Sequence, residues 1–168
     1  MRALLCILIP KETIDSISRL QIPYPGTEWF EPESLSIPLF WLDDLHGNDI
    51  IDLNQEFELF DHPPIELTLG KIDITSSGQV YLQFNIPNDF ITKLRTSLKS
   101  IKKQNIRAAL NRLNLGTVPL KLKNKFIEFA IGYNEPFLTE YLAVWEEGKY
   151  YFEKGRFQFR KKRSGPSL

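Results

Sequence analysis

Residues 28–44 read EWFEPESLSIPLFWLDD, and the fold is decided by how this stretch pairs with what surrounds it. It divides into two strands, near 27–31 and 34–42. Upstream, residues 2–9 form an apolar strand and 11–21 a helix with Ile14, Ile17 and Leu20 inward. Downstream, Ile50, Ile51, Leu53, Phe57 and Leu59 set a helix near 48–59. Ile65 to Thr75 and Gln79 to Asn85 then make a hairpin around Ser76-Ser77-Gly78. A basic helix starts near 88, after Pro87, and a second short helix runs to about Leu115, where Gly116 terminates it. Strands near 119–133, 138–146 and 149–161 follow, the last two joined at Glu146-Glu147-Gly148. The elements come as ββ and βα units in two similar halves, so the fold class is α+β, with two-lobed antiparallel sheets and flanking helices.

With 168 residues, 42% hydrophobic and 12% aromatic, the chain is long enough to bury roughly 70% of its unfolded surface. The expectation is one two-lobed domain over residues 1–163 and a flexible tail over 164–168. No stretch approaches the ~18 apolar residues of a membrane span, and MRALLCILIP is too short and too soon followed by Lys11 and Glu12 for a signal peptide. A cytoplasmic location with no membrane role is therefore expected. Cys6 lies inside the first apolar strand and reads as a buried small hydrophobe.

A net charge of zero conceals an asymmetry. Residues 1–90 carry 4 Lys and Arg against 15 Asp and Glu, and residues 91–168 carry 17 against 6. Such halves either attract each other or present an electropositive face to a polyanion. Phe90, Leu94, Leu98 and Ile101 recur at helical spacing, with Lys93, Arg95, Lys99, Lys102 and Lys103 on the other faces, and Arg107 and Arg112 continue beyond them. Lys121, Lys123 and Lys125 alternate with Leu120, Leu122 and Phe126, which reads as a strand with three ammonium groups on one face. Arg156, Arg160, Lys161, Lys162 and Arg163 close the chain. Phe157 and Phe159 beside them alternate as a half-buried strand requires, so core packing is preferred to base stacking.

Taken together, Met1-Arg2 with an apolar strand ending in Pro10, a helix, a Trp-containing turn and Leu35-Ser36-Ile37-Pro38-Leu39-Phe40-Trp41-Leu42 resemble the N-terminal half of the two-histidine phosphoesterases, the LigT-like RNA cyclic phosphodiesterases. That family carries Leu-His-x-Thr-Leu-x-Phe-Leu in this register and a second Pro-His-x-Thr-Leu-Ala strand later. The second motif is expected at Lys125-Phe126-Ile127-Glu128-Phe129-Ala130, and the segment from Pro136 to Phe159 resembles the closing pair of strands. The resemblance implies the fold and an ancestral activity on 2′,3′-cyclic phosphates. It also implies that Ser36 and Phe126 replace the two histidines, and Pro38 and Glu128 their threonine partners.

Opening a cyclic phosphate needs a group to take a proton from water and another to give one to the leaving oxygen, and imidazole suits both because it titrates near neutrality. The partner hydroxyls stabilise charge on the phosphate oxygens. Proline and phenylalanine do neither. No catalytic residues are therefore assigned, and no metal or cofactor. His46 and His62 lie in turn-like contexts and are read as surface histidines. Asp43, Asp44, His46, Asp49 and Asp52 read as a solvated helix entry rather than a cation site. Gly-rich phosphate loops, Cys-x-x-Cys and His-Glu-x-x-His are missing from the sequence.

The preferred function is a non-catalytic protein of this fold whose cleft binds RNA, a nucleotide or a protein partner, with Lys121, Lys123, Lys125, Arg107 and Arg160 as ligand-binding candidates. One alternative is a phosphodiesterase using replacement residues such as Glu128. The other is a structural or assembly protein.

Overall fold

The first apolar run becomes the middle of a sheet. In the computed structural model, which describes residues 1–68, 72–101, 105–125, 136–148 and 151–160, β1 (Ala3–Leu8) lies antiparallel between β3 (Ser36–Leu42) and β10 (Tyr141–Glu146). Its run is apolar at every position because both faces are covered. Ala3, Leu5 and Ile7 enter the main core, while Leu4 and Cys6 join Ala143 and Trp145 in a smaller cluster on the other face. β7 (Ile106–Ala108) and β11 (Phe152–Gln158) complete this five-stranded sheet, in the order β11-β10-β1-β3-β7.

A second antiparallel sheet has the order β2-β8-β6-β5, from β2 (Glu28–Trp29), β8 (Arg112–Thr117), β6 (Gln79–Gln83) and β5 (Ile72–Ile74). A two-stranded ladder joins β4 (Glu66–Thr68) to β9 (Pro136–Leu138). The helices are α1 (Lys11–Ser18), α2 (Gly47–Glu58) and α3 (Asn88–Ile101). Ile17, Leu53, Phe57, Phe90, Leu94 and Leu98 pack into one core with residues of both sheets. The α+β reading with antiparallel sheets and flanking helices holds.

Several elements differ from the sequence reading. The expected hairpin strand from Ile65 to Thr75 is divided, with Glu66–Thr68 paired to β9 and Ile72–Ile74 to β6. Residues 112–115 are a strand, not the end of a helix. Leu113 and Leu115 alternate with Arg112 and Asn114, and Asn105, at φ 64°, turns the chain out of α3 toward β7. Gly116 does not cap a helix: at φ +146° it passes so close to β2 that a Cβ would lie 2.2 Å from the Glu28 carbonyl oxygen. The expected strand from 119 begins instead as a 3-10 turn over Leu120–Leu122, closed by the Leu122 N–H on the Pro119 carbonyl at 2.9 Å, with residues 123–125 helical. Proline fixes Pro119 at φ −60°, and Leu120 is 53% exposed, so the apolar alternation marks no buried face. Tyr150, Lys102, Lys103, Phe126, Glu128 and residues 161–168 lie outside the described residues.

The two halves repeat one plan. β1-α1-β2-β3 and β6-α3-β7-β8 each pair their first strand with their last, and each sends its middle strand to the edge of the other half's sheet. Even the irregularities match. β1 and β3 slip between Leu5↔Phe40 and Cys6↔Pro38, and β6 and β8 slip between Val80↔Gly116 and Tyr81↔Asn114. The bulged residues, Leu39 and Leu115, each accept a backbone N–H from the crossing segment, Ala109 at 3.0 Å and Phe30 at 2.9 Å.

The charge asymmetry is partly answered within the fold. Arg107 forks onto Asp43, Nε to Oδ2 at 2.6 Å and Nη2 to Oδ1 at 3.1 Å, and Arg160 Nε donates to Asp61 at 2.6 Å. Each pair joins the basic half to the acidic half.

Candidate functional site

The matched slips fix an internal correspondence residue by residue. Pro38 opposite Cys6 answers to Asn114 opposite Tyr81, and Ser36 opposite Leu8 answers to Arg112 opposite Gln83. These four side chains, two from each half, line a single recess of about 290 Å³ together with Leu4, Phe30, Ser34, Trp41 and Tyr151.

Its two walls differ in chemistry. On the β3 side Ser36 is buried and lies against the Cys6 thiol, and Pro38 offers neither an N–H nor a hydroxyl. The Cys6 Sγ reaches the Ala143 carbonyl at 3.7 Å. Burial pushes the Cys6 thiol up to about 12, with Glu153 adding to the rise and the Ser36 contact opposing it. The folded thiol thus stays protonated while the unfolded one ionises from about pH 9. Stability contributed by Cys6 is therefore lost as pH rises from there toward 12. Comparing urea midpoints at pH 8 and pH 10.5 checks this, with a smaller drop expected in Cys6→Ala than in the parent.

The β8 wall carries a fixed cation. Arg112 lies over the Tyr81 ring, 4.1 Å from its centroid, and its Nε donates to Gln83 Oε1 at 3.1 Å. Gln83 is itself held by its Nε2, which donates to the carbonyls of Phe84 at 3.4 Å and Asn111 at 3.3 Å. Tyr81 donates its hydroxyl to Asp73 at 3.3 Å. The guanidinium is thereby oriented from two sides, and its terminal nitrogens make no hydrogen bond among the described residues. Such a group stays charged at any physiological pH and grips phosphate or carboxylate with paired N–H donors, so it binds anions but cannot trade protons. Tyr151 is held above its ordinary value chiefly by burial, with Glu147 adding to it, and stays a neutral hydroxyl.

Neither histidine reaches this recess. His46 sits at the start of α2, where its backbone N–H donates to Asp49 at 2.9 Å. The His62 ring packs on Phe90, 4.8 Å between centroids, with Nδ1 2.8 Å from the Pro63 carbonyl. Phe157 and Phe159 pack on Phe57 and Phe90, as core residues.

Of the sequence candidates, Ser36 and Pro38 line the recess. The cations are scattered. Arg107 lies on edge strand β7 and Arg160 beyond β11, the opposite edge of the same sheet. Lys121, Lys123 and Lys125 belong to the turn after β8, and none of the five lines this recess. At helical spacing Lys121 and Lys125 project to one side and Lys123 to the other. Arg112 and Asn114 were missed as site residues. Their signal was present in Asn111-Arg112-Leu113-Asn114-Leu115-Gly116, which has the Leu-then-small ending of Pro-His-x-Thr-Leu-Ala.

No protein-family model and no curated protein matches the sequence. Solved structures do match. E. coli LigT in its apo form aligns at a TM-score of 0.72 and 15% identity over 95% of this chain and 98% of LigT. A protein of Thermus thermophilus aligns at 0.70 and 14% identity, over 97% and 100% of the two chains. A structure described as a phosphoesterase aligns at 0.68 and 15%, over 95% and 99%. LigT has been crystallised with ATP, NADP+, phosphate and 3′-AMP. The chain therefore has the fold of LigT, as the resemblance of its first 44 residues implied.

Proposed function

We propose that this chain binds a nucleotide, or the phosphorylated end of an RNA, in the recess between β3 and β8 and does not hydrolyse it. One observation carries this reading: the four side chains at the matched positions of the two halves offer a guanidinium, an amide, a hydroxyl and a proline, and none titrates near neutrality. We infer that Arg112 and Asn114, rather than Phe126 and Glu128, stand where the resembled family has its second histidine and threonine.

The loss of each acid or base group removes about 10² to 10⁴ in rate. With both gone, no useful barrier reduction for phosphate opening remains. Arg112 replaces the lost chemistry with affinity, its fork meeting phosphate oxygens while Asn114 and Ser36 supply further hydrogen bonds. The nucleotides crystallised with LigT support this ligand class.

The five sequence candidates take secondary parts in this reading. Arg107 is already engaged by Asp43, so Arg107→Ala is expected to leave 3′-AMP binding unchanged in a calorimetric titration. Arg160 is likewise engaged by Asp61. For an RNA longer than one nucleotide, the exposed Lys121 and Lys125 are available as phosphate contacts. Their replacement is expected to lower the salt dependence of RNA binding without changing that of 3′-AMP. The test of the site itself is binding of 3′-AMP to the parent and to Arg112→Ala, measured beside turnover of a 2′,3′-cyclic nucleotide. Binding weakened in Arg112→Ala, and no turnover, supports the proposal. Turnover by the parent overturns it.

A further inference from the structure

The recess opens into a second hollow of different character. A cavity of about 720 Å³ shares Phe30, Ser34 and Tyr151 with it, and a further hollow of about 610 Å³ continues beyond, sharing Glu33, Trp145 and Arg156 with that cavity. The walls are aromatic. Phe30 is 43% exposed and Tyr151 41%, and the Tyr151 ring lies on that of Trp145 at 5.4 Å.

The described residues make these walls negative. Among the described residues, five carboxylates, on Asp15, Glu31, Glu33, Glu140 and Glu153, line the two hollows against two cations, Lys11 and Arg156. Glu31 and Glu33 form no ion pair among the described residues, and they lie one and three positions after Phe30. A nucleic-acid strand leaving the Arg112 recess by this route meets carboxylates where its next phosphates must go. A guanidinium or ammonium meets ring faces for its stem and acceptors for its head.

The protein makes this contact with a side chain of its own. Arg156, at the junction of the two hollows, lies over the Tyr141 ring at 5.5 Å and pairs with Glu153, Nη2 to Oε1 at 2.9 Å. We propose that the Phe30, Glu31, Glu33 and Tyr151 portion of the trough repeats this arrangement for a visitor, and docks an arginine-bearing basic segment of a protein partner. The occupant follows from charge complementarity and from exposed rings beside carboxylates that form no ion pair among the described residues, and it requires nothing of Arg112.

The test uses an octapeptide of alternating glycine and arginine and its glycine and glutamate counterpart, titrated against the full chain by calorimetry. The arginine peptide is expected to bind and the glutamate peptide not. The double substitution Glu31→Gln with Glu33→Gln, and separately Phe30→Ala, are expected to weaken binding about tenfold, the scale of a charge-assisted hydrogen bond or a cation–π contact. Asp52→Asn with Glu56→Gln, a charge-matched change on α2, is expected to leave it unaltered. Arg112→Ala is expected to weaken 3′-AMP binding about 10- to 100-fold while sparing the peptide, so failure of one site is separable from failure of the other. Equal binding of both peptides, or equal weakening by the α2 and trough substitutions, overturns the proposal.

Discussion

Arg112→Ala is expected to weaken 3′-AMP binding by about 10- to 100-fold, the cost of ~1.5–3 kcal/mol for hydrogen bonds to a charged group. The reason is placement as much as charge. Gln83 takes the Nε proton and Tyr81 supports the plane of the guanidinium, so its two terminal nitrogens are presented to the recess with little left to order on binding. Arg112→Lys keeps a positive charge but loses the fork and the stacking, and an intermediate loss is expected. Gln83→Leu removes the Nε acceptor without touching the ligand. It is expected to weaken binding by less than Arg112→Ala does, which separates orientation from contact. Calorimetry with 3′-AMP reads all three.

Gly116→Val is expected to be the most damaging single substitution on β8. A side chain there meets backbone rather than a yielding side chain: its Cβ would lie 2.2 Å from the Glu28 carbonyl oxygen and 2.8 Å from the Trp29 Cα. The backbone at φ +146° is itself unfavourable for a branched residue and adds ~1–3 kcal/mol of strain. β2 must therefore leave β8, and with it go the Trp29 and Phe30 walls of the trough. A loss of at least ~3 kcal/mol is expected, or ~6–12 °C in Tm for a chain of this size. Gly47→Ala is the matched control. At the start of α2 an added Cβ meets nothing within 4 Å, so its Tm is expected to stay or rise slightly.

Local pattern made the first half of this fold legible. β1, β3 and α2 are written in apolar runs and helical spacing, and the strand expected to carry Ser36 and Pro38 is β3. The second half hides the strand proposed as its counterpart. Arg107-Ala108-Ala109-Leu110-Asn111-Arg112, followed by Leu-Asn-Leu-Gly, has the composition of a short helix with a glycine stop, and local preference favours that reading. What makes 112–117 a strand is non-local: β6 pairs along one edge of it and β2 crosses from the first half to pair along the other. Only this pairing reveals the repeat of the bulge, and only the repeat brings Arg112 and Asn114 opposite Ser36 and Pro38. The lysines of 121–125 misled in the opposite sense. Their alternation has a strand's period, but Pro119 opens a turn there, and spacing without burial carries no register.

The central claim is that the recess holds a phosphate-bearing ligand without breaking its ester. Incubation of 2′,3′-cyclic AMP with the parent protein at micromolar concentration, with separation of the opened monophosphate from the starting material, tests this most directly. The expected result is no product above the rate without protein, while 3′-AMP binds the parent and binds Arg112→Ala about 10- to 100-fold more weakly. Product that accumulates in proportion to protein, and disappears in the same variant, would contradict it.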